Sequence, residues 1–429
     1  MHILMFGKMP PIQGGVSKAT WVAATDLVTA GHTVTFISNA NSMGYGFRQM
    51  GSASSIEATV AGFAGKLEIR QLEAVPRLSY IPWAPPYLSQ LLGNAIAAAK
   101  SRTPDLVIGW YLEPYGVAAS IFGRLADTPV ILRHAGSDLG RLRKVADLGP
   151  LYDHCLASAS RVVASKKQDA VQIVLDAGVR RESLVQARGR RLDDSFWEPT
   201  RFDFEALVEE AEAFFSNYGF ERDFLKMLTD WNREGLRCSD PIVGSYGKIG
   251  IAKGTYSLID ALDLLADRNL PVAYRALWSA APDRFAHAFN HLASKKRLRG
   301  RTIILPPLPP WEVPAFIRSC SVITFLENNF PITFHGPQIP REVLACGTPL
   351  ILSGEICSKV SFAAELADRT NVLRAEDPNN VAELASVLEL AITDREMRAS
   401  LSHHGKTLSR TIESTALPHD PLIDVIRSM

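Results

Sequence analysis

The sequence predicts an α/β fold of two parallel-sheet domains with a helical hairpin inserted between them. Three observations carry that prediction. At 429 residues the chain is about three times the ~150 residues of a common domain, so two domains are expected and a single small binding module is excluded. Short β-branched runs alternate with helix-patterned segments over two long stretches, as strand–helix–strand units require. Formal charge is also uneven. Residues 1–200 hold 21 Lys+Arg against 16 Asp+Glu, residues 201–240 hold 5 against 10, and residues 241–429 hold 20 against 19. An acidic segment therefore divides two larger pieces.

In the first piece the apolar runs predict strands at His2–Phe6, Thr33–Ser38, Leu106–Trp110, Val130–Arg133 and Arg161–Ala164. Helical spacing predicts helices at Val16–Thr29, Tyr115–Leu125, Val145–Ala157 and Lys166–Ala177, the first stopped by Gly31. In the acidic segment Phe204, Leu207, Val208, Ala211, Phe214, Phe215 and Tyr218 fall on one helical face, and Gly219 can end that helix in a left-handed conformation. Phe224, Leu225, Leu228 and Trp231 then begin a second stripe, which completes a hairpin expected to pack between the domains. The second piece reads as strands at Ile242–Ser245, Val272–Trp278, Thr302–Leu305, Val322–Phe325, Leu350–Leu352 and Val372–Arg374. Its helices are expected at Gly254–Ala266, Arg284–Ser294, Pro310–Arg318, Pro340–Cys346 and Val381–Ile392. Both large pieces are thus Rossmann-like. The expected divisions are 1–200, the hairpin 201–240, 241–410, and a tail 411–429 that packs back on the first domain.

Composition excludes several classes. With 47% hydrophobic and 21% charged residues, 29 Gly and 26 Pro, disorder, collagen and coiled coil are ruled out. A net charge of +1 gives no global pull on a polyanion, so no nucleic-acid partner is expected. The five cysteines are scattered without a C-x-x-C pair, which fits neither a disulfide framework nor a zinc site and suggests a reducing, cytoplasmic setting. The first residues lack the basic region and long apolar run of a signal peptide. Leu78–Ala99 carries no charge, but Pro82, Pro85, Pro86, Gln90 and Asn94 argue against a membrane span. Within it Tyr87, Leu88, Leu91, Leu92, Ala95 and Ile96 are helically spaced. The expectation there is core packing, with a peripheral contact at the inner membrane face as the alternative.

Four segments carry chemistry. Gly14-Gly15, between the first strand and helix, lets backbone amides at a helix N-terminus approach a phosphate or sugar closely; a plain turn is the alternative reading. His134, in Arg133-His134-Ala135-Gly136-Ser137-Asp138, stands at the carboxyl end of an apolar strand, where open α/β sheets bind ligands; it can bond a sugar hydroxyl or phosphate, or be satisfied in its loop. Gly244 to Gly254 reads Gly-Ser-Tyr-Gly-Lys-Ile-Gly-Ile-Ala-Lys-Gly. Lys248 and Lys253 on this glycine-rich loop can clamp a diphosphate, or be solvated cations. Glu342, in Pro340-Arg341-Glu342-Val343-Leu344-Ala345-Cys346-Gly347-Thr348-Pro349, can accept from both hydroxyls of a ribose or merely complement the helix dipole. Neither G-x-G-x-x-G nor a Walker loop is present, which disfavours a nicotinamide dehydrogenase and a P-loop nucleotidase.

Taken in this order, the segments resemble the large family of retaining GT-B glycosyltransferases that also holds sucrose and glycogen synthases and lipid-glycan mannosyltransferases. The resemblance implies two Rossmann-like domains facing a central cleft, acceptor side first and nucleotide-sugar side second. Gly14 and Gly15 are similar to the family's early Gly-Gly, His134 to its first-domain His, Lys248 with Lys253-Gly254 to its basic pair, and Glu342 to its final Glu. The family's other Glu lies eight residues earlier, at a position that is Phe334 here; His335 and the Gly336 amide are the candidate substitutes.

The implied activity is hexosyl transfer, with retention and without a metal, from a UDP- or GDP-sugar to the hydroxyl of a glycan, lipid-linked sugar or small molecule. His134, Lys248 and Lys253 would be catalytic, Gly14, Gly15, His335, Gly336 and Glu342 would hold the donor, and no cofactor is implied. The domains are expected to close over the donor. Phe334 motivates a second hypothesis, a sugar-nucleotide-binding homologue that regulates or scaffolds without turnover. A GT-B epimerase is disfavoured by the lack of paired acids in the first domain.

Overall fold

The computed structural model describes residues 1–73, 87–332 and 336–429. The chain divides into two compact units, Met1–Met43 with Ser52–Arg191 and Ala416–Met429, and Gly44–Gly51 with Leu192–Thr415.

The first unit runs β1 (His2–Phe6), α1 (Gly15–Thr29), β2 (Thr33–Ser38), α2 (Ala53–Gly62), β3 (Leu67–Gln71), α3 (Tyr87–Ser101), β4 (Leu106–Trp110), α4 (Val117–Leu125), β5 (Val130–Arg133), α5 (Gly136–Gly140), α6 (Gly149–Ser158), β6 (Arg161–Ser165), α7 (Gln168–Asp176) and β7 (Leu184–Ala187). Its parallel strands pair in the order 3-2-1-4-5-6-7. β1 and β4 lie at the centre and every residue of both is buried, because helices cover both faces of such a sheet. β3 and β7 lie at its edges, and the sequence reading missed both. Leu-Glu-Ile-Arg-Gln and Leu-Val-Gln-Ala are part exposed and mixed in polarity, so no apolar run marks them. The α6 expected from Val145 starts at Gly149, with Pro150 pre-set for its first turn. Of the 78–99 stretch, 87–99 lies in α3 and 78–86 falls outside the described residues.

The second unit continues with α8 (Phe204–Phe215), α9 (Arg222–Gly235), β8 (Ile242–Lys248), α10 (Thr255–Asp267), β9 (Ala273–Ser279), α11 (Pro282–Ser294), β10 (Thr302–Leu305), α12 (Val313–Ser319), β11 (Val322–Phe325), α13 (Ile339–Cys346), β12 (Leu350–Ser353), α14 (Gly354–Lys359), β13 (Leu373–Ala375), α15 (Val381–Thr393) and α16 (Arg395–Ser414). The parallel order is 10-9-8-11-12-13. Asp203 caps α8 by accepting from the Glu205 and Ala206 amides, and Gly219 follows with φ 80°. Val208, Phe215, Tyr218 and Trp231 are buried in the same core as Trp278, Phe285 and Phe289. The 20-residue α16 escaped the sequence reading because its buried stripe, Leu401, Gly405, Leu408, Ser409 and Glu413, is narrow and partly polar.

The chain then returns to the first unit as α17 (Leu422–Arg427). Asp420, before it, pairs with Arg133 at 3.1 Å, and the Asp420 amide donates to Asp26 at 2.7 Å. Arg190 closes this half-buried network on Asp26 at 2.7 Å.

Candidate functional site

In the second unit the site grows from the carboxyl end of β8. Gly247 and Gly250 have φ of 108° and 148°, so the chain turns sharply before α10. The Gly250 amide donates to Thr255 Oγ1 at 3.0 Å, which fixes the loop to the helix it precedes. Gly254 is required twice over, because its φ is 69° and a Cβ there would lie 2.6 Å from Leu326 Cβ. The loop thus leads into the N-terminus of a 13-residue helix, where free amides and the helix dipole favour an anion. Lys248 ends β8 exposed, and Lys253 lies five residues on; both line a pocket with Tyr246, Gly247, Thr324 and Leu326.

Lys253 is engaged within this unit. Its ammonium pairs with Glu327 and sits 3.5 Å from the centre of the Phe330 ring. Glu327, just past β11, has a fully buried side chain and a second cation, Lys359 of α14, at 3.5 Å. Lys359 also pairs with Glu355 one turn earlier on its own helix. Glu355 accepts from the backbone amides of Asn329 and Phe330. Ser353 Oγ donates to the Glu327 carbonyl at 2.5 Å, and the Asn328 amide donates to the Ala252 carbonyl at 3.1 Å. The loop after β11 is therefore laced both to α14 and to the glycine loop. Nothing in the sequence pattern alone singled out Glu327; its one mark is a lone acid directly after the apolar run of β11.

Glu342 stands in the first turn of α13, after Pro340, and is 8% exposed. Its Oε2 accepts from the Tyr246 hydroxyl at 2.8 Å. Burial, and then the neighbouring Glu342 carboxylate, hold that phenol well above its ordinary range, so the hydroxyl remains a donor. Tyr246 lies two residues before Lys248, so the structure brings Glu342 to the strand end that carries the lysine. Gly336 is exposed, and its carbonyl accepts from Gln338 Nε2 at 3.3 Å. Phe334 and His335 fall outside the described residues.

Gly14, Gly15 and His134 lie in the first unit, after the carboxyl ends of β1 and β5, the two strands that flank β4. Gly14 caps α1 with φ 107°, and no atom lies within 4 Å of where a Cβ would stand on Gly14 or Gly15. His134 Nε2 is sealed from solvent with no hydrogen-bonding partner among the described residues. Burial pushes the imidazole down to about 4, so it is neutral at pH 7. Asp138, fully buried, binds the amides of Leu112, Ala135 and Leu139 and ties the β4 loop to the β5 loop. Burial nevertheless raises it to about 6. Tyr111, which the sequence reading passed over, has φ 77°, a costly conformation for a bulky residue. Its hydroxyl meets Ser137 Oγ at 2.8 Å, and Lys8 Nζ stands 3.8 Å from its ring centre.

No protein-family model and no curated protein sequence matches the chain. Solved structures do. HepE of Anabaena, crystallised with UDP-glucose, is 15% identical with a TM-score of 0.65, and all of each chain is covered. Sucrose-phosphate synthase from Thermosynechococcus elongatus is 14% identical with a TM-score of 0.61, over 96% of this chain and 94% of that one. WaaG, a glycosyltransferase involved in lipopolysaccharide biosynthesis, is 12% identical with a TM-score of 0.59, over 96% and 95%. With parallel sheets of 7 and 6 strands in its two units and these structural counterparts, the chain has the α/β GT-B fold of glycosyltransferases.

Proposed function

We propose that the protein is a glycosyltransferase that moves a hexose from a nucleoside-diphosphate sugar to a hydroxyl acceptor, with retention and without a metal. The observation that carries this reading is the meeting, in the second unit, of the Lys248–Lys253 glycine loop, the N-terminus of α10 and the Tyr246–Glu342 pair. HepE was crystallised with UDP-glucose, with UDP, and with UDP and glucose, which supports a nucleotide sugar as the donor class. Glu342, aimed by Tyr246, accepts from the ribose hydroxyls in a charge-assisted pair. The loop amides and Lys253 take the diphosphate. The bond between the anomeric carbon and the β-phosphate oxygen breaks, and the negative charge that develops on the diphosphate is stabilised by Lys248, Lys253 and the helix dipole. The acceptor oxygen bonds to the same face of the anomeric carbon, and its proton passes to the departing phosphate oxygen. Nucleophile and base are then supplied by the substrates.

In this reading neutral His134 and the Gly14–Gly15 amides are further groups able to hydrogen-bond a sugar or phosphate. The acceptor is a glycan, a lipid-linked sugar or a small molecule. No helix among the described residues is long and apolar enough to cross a membrane. The test is product nucleotide and anomeric configuration. The protein is incubated with UDP-glucose or GDP-mannose and a cell extract as acceptor source, with and without EDTA, and the product linkage is read by NMR. Retained configuration and EDTA-insensitive release support the proposal. Tight donor binding without release favours a regulatory homologue, and an inverted product overturns the mechanism.

A further inference from the structure

The diphosphate clamp and the buried carboxylate beside it make opposing demands on one lysine. Lys253 pairs with Glu327, whose side chain is fully buried. To give its charge to a diphosphate, Lys253 has to loosen its pairing with that carboxylate, and a buried carboxylate stripped of its partner is strongly unfavourable. A second cation changes this. Lys359, only 11% exposed, already stands 3.5 Å from the other oxygen of Glu327. It is anchored from the far side by Glu355, which in turn holds the Asn329 and Phe330 amides in place. The Phe330 ring lies 3.5 Å from the Lys253 ammonium and 5.7 Å from that of Lys359. The two lysines therefore flank one carboxylate and one aromatic face, with only Lys253 on the glycine loop.

We propose that Lys359 is a positioning residue that keeps Glu327 neutralised while Lys253 leaves it for the donor diphosphate, so that Glu327 is a built-in competitor whose grip Lys359 weakens. The proposal rests on the donor-site reading above. It assigns to α14 a part that neither the glycine loop nor Glu342 supplies. It also fixes the sign of each substitution. Without Lys359, Glu327 grips Lys253 more strongly and the diphosphate has to break a stronger pair. Without Glu327, Lys359 keeps only Glu355 and no competitor for Lys253 remains.

The experiment is calorimetric titration of UDP and of GDP into the full-length protein, with circular dichroism confirming the fold of each variant. Lys359→Met should raise the Kd of the preferred nucleotide at least tenfold, and Lys359→Arg should stay within threefold of wild type. Glu327→Gln should bind at least as tightly as wild type, and Glu327→Gln combined with Lys359→Met should lie within threefold of Glu327→Gln alone. An unchanged Kd in folded Lys359→Met overturns the proposal and leaves the donor site standing. A loss that Glu327→Gln does not restore means that Lys359 touches the phosphates directly, and also overturns it. If wild type binds neither UDP nor GDP, the donor-site reading falls and takes this proposal with it.

Discussion

Asp138 and His134 sit four residues apart after the carboxyl end of β5, and burial shifts them in opposite directions. Asp138 is raised by burial from 3.8 to about 6. The native state therefore binds its proton more tightly, and the stability it contributes is full below about pH 4 and lost as pH rises to about 6. His134 is lowered by burial from 6.5 to about 4, so its cost is greatest below about pH 4 and disappears as pH rises to about 6.5. Each limb is on the order of 3 kcal/mol, with opposite sign. The two contributions should thus nearly cancel from pH 4 to 6.5, and each variant is read as its difference from wild type. Asp138→Asn should gain stability on rising pH and His134→Gln should lose it, as urea melts at several pH values would show; parallel profiles for all three proteins would contradict the assignment. At the donor side, Lys253→Ala and Glu342→Ala should each weaken nucleotide-sugar binding at least tenfold, since each removes a charge-assisted contact of roughly 1.5–3 kcal/mol. Tyr246→Phe should produce part of the Glu342→Ala defect in the same titrations, because it removes the donor that aims that carboxylate. Glu342 and Lys253 were legible in the sequence because each stands in a motif beside glycine or proline. Tyr246 and Glu327 were not, because their roles depend on residues 96 and 74 positions away in the chain.

At the scale of elements, α8 and α9 are built into the core of the second unit. Phe215, Tyr218 and Phe285 pack ring against ring at 5.2–5.9 Å, and Trp231 meets Phe289 at 5.8 Å. Arg275 of β9, 2% exposed, donates to the carbonyls of Gly235 and Cys238 at the end of α9. Removing residues 202–236 would expose this aromatic surface and take the Gly235 carbonyl away from a buried guanidinium. The deletion variant should therefore lose cooperative unfolding of the second unit, and Phe215→Ala alone should cost about 3–5 kcal/mol in urea melts. A soluble deletion variant with full transfer rate would show the hairpin to be dispensable. The amphipathic spacing of both helices was plain in the sequence, as were the buried central strands, because burial on two faces demands continuous apolar runs. Edge strands β3 and β7 and the polar helix α16 left no such mark, because water satisfies one side of each.

At the scale of the molecule, the same fold is recognisable at 12–15% identity, where little beyond buried periodicity and a few loop glycines need persist. Fold alone does not fix an activity. The weight of the functional reading therefore rests on the second unit, where the glycine loop, α10, α13 and α14 converge on one strand end. The alternation of strand and helix made the two sheets readable in advance. The partner of each lysine was not readable, since ion pairs across a sheet depend on register and loop length. The family's spacing also pointed eight residues before Glu342, to Phe334, whereas the buried acid of the loop after β11 is Glu327.

The central claim is that this unit holds a nucleotide sugar through Lys253 and Glu342, and thermal unfolding with saturating UDP-glucose and GDP-mannose tests it most directly. A ligand at 100 times its Kd adds ~2.7 kcal/mol of stability. One of the two sugars should therefore raise the Tm of wild type clearly, and the same concentration should raise that of Lys253→Ala or Glu342→Ala much less. No shift with either sugar in wild type, or equal shifts in wild type and both variants, would contradict the account.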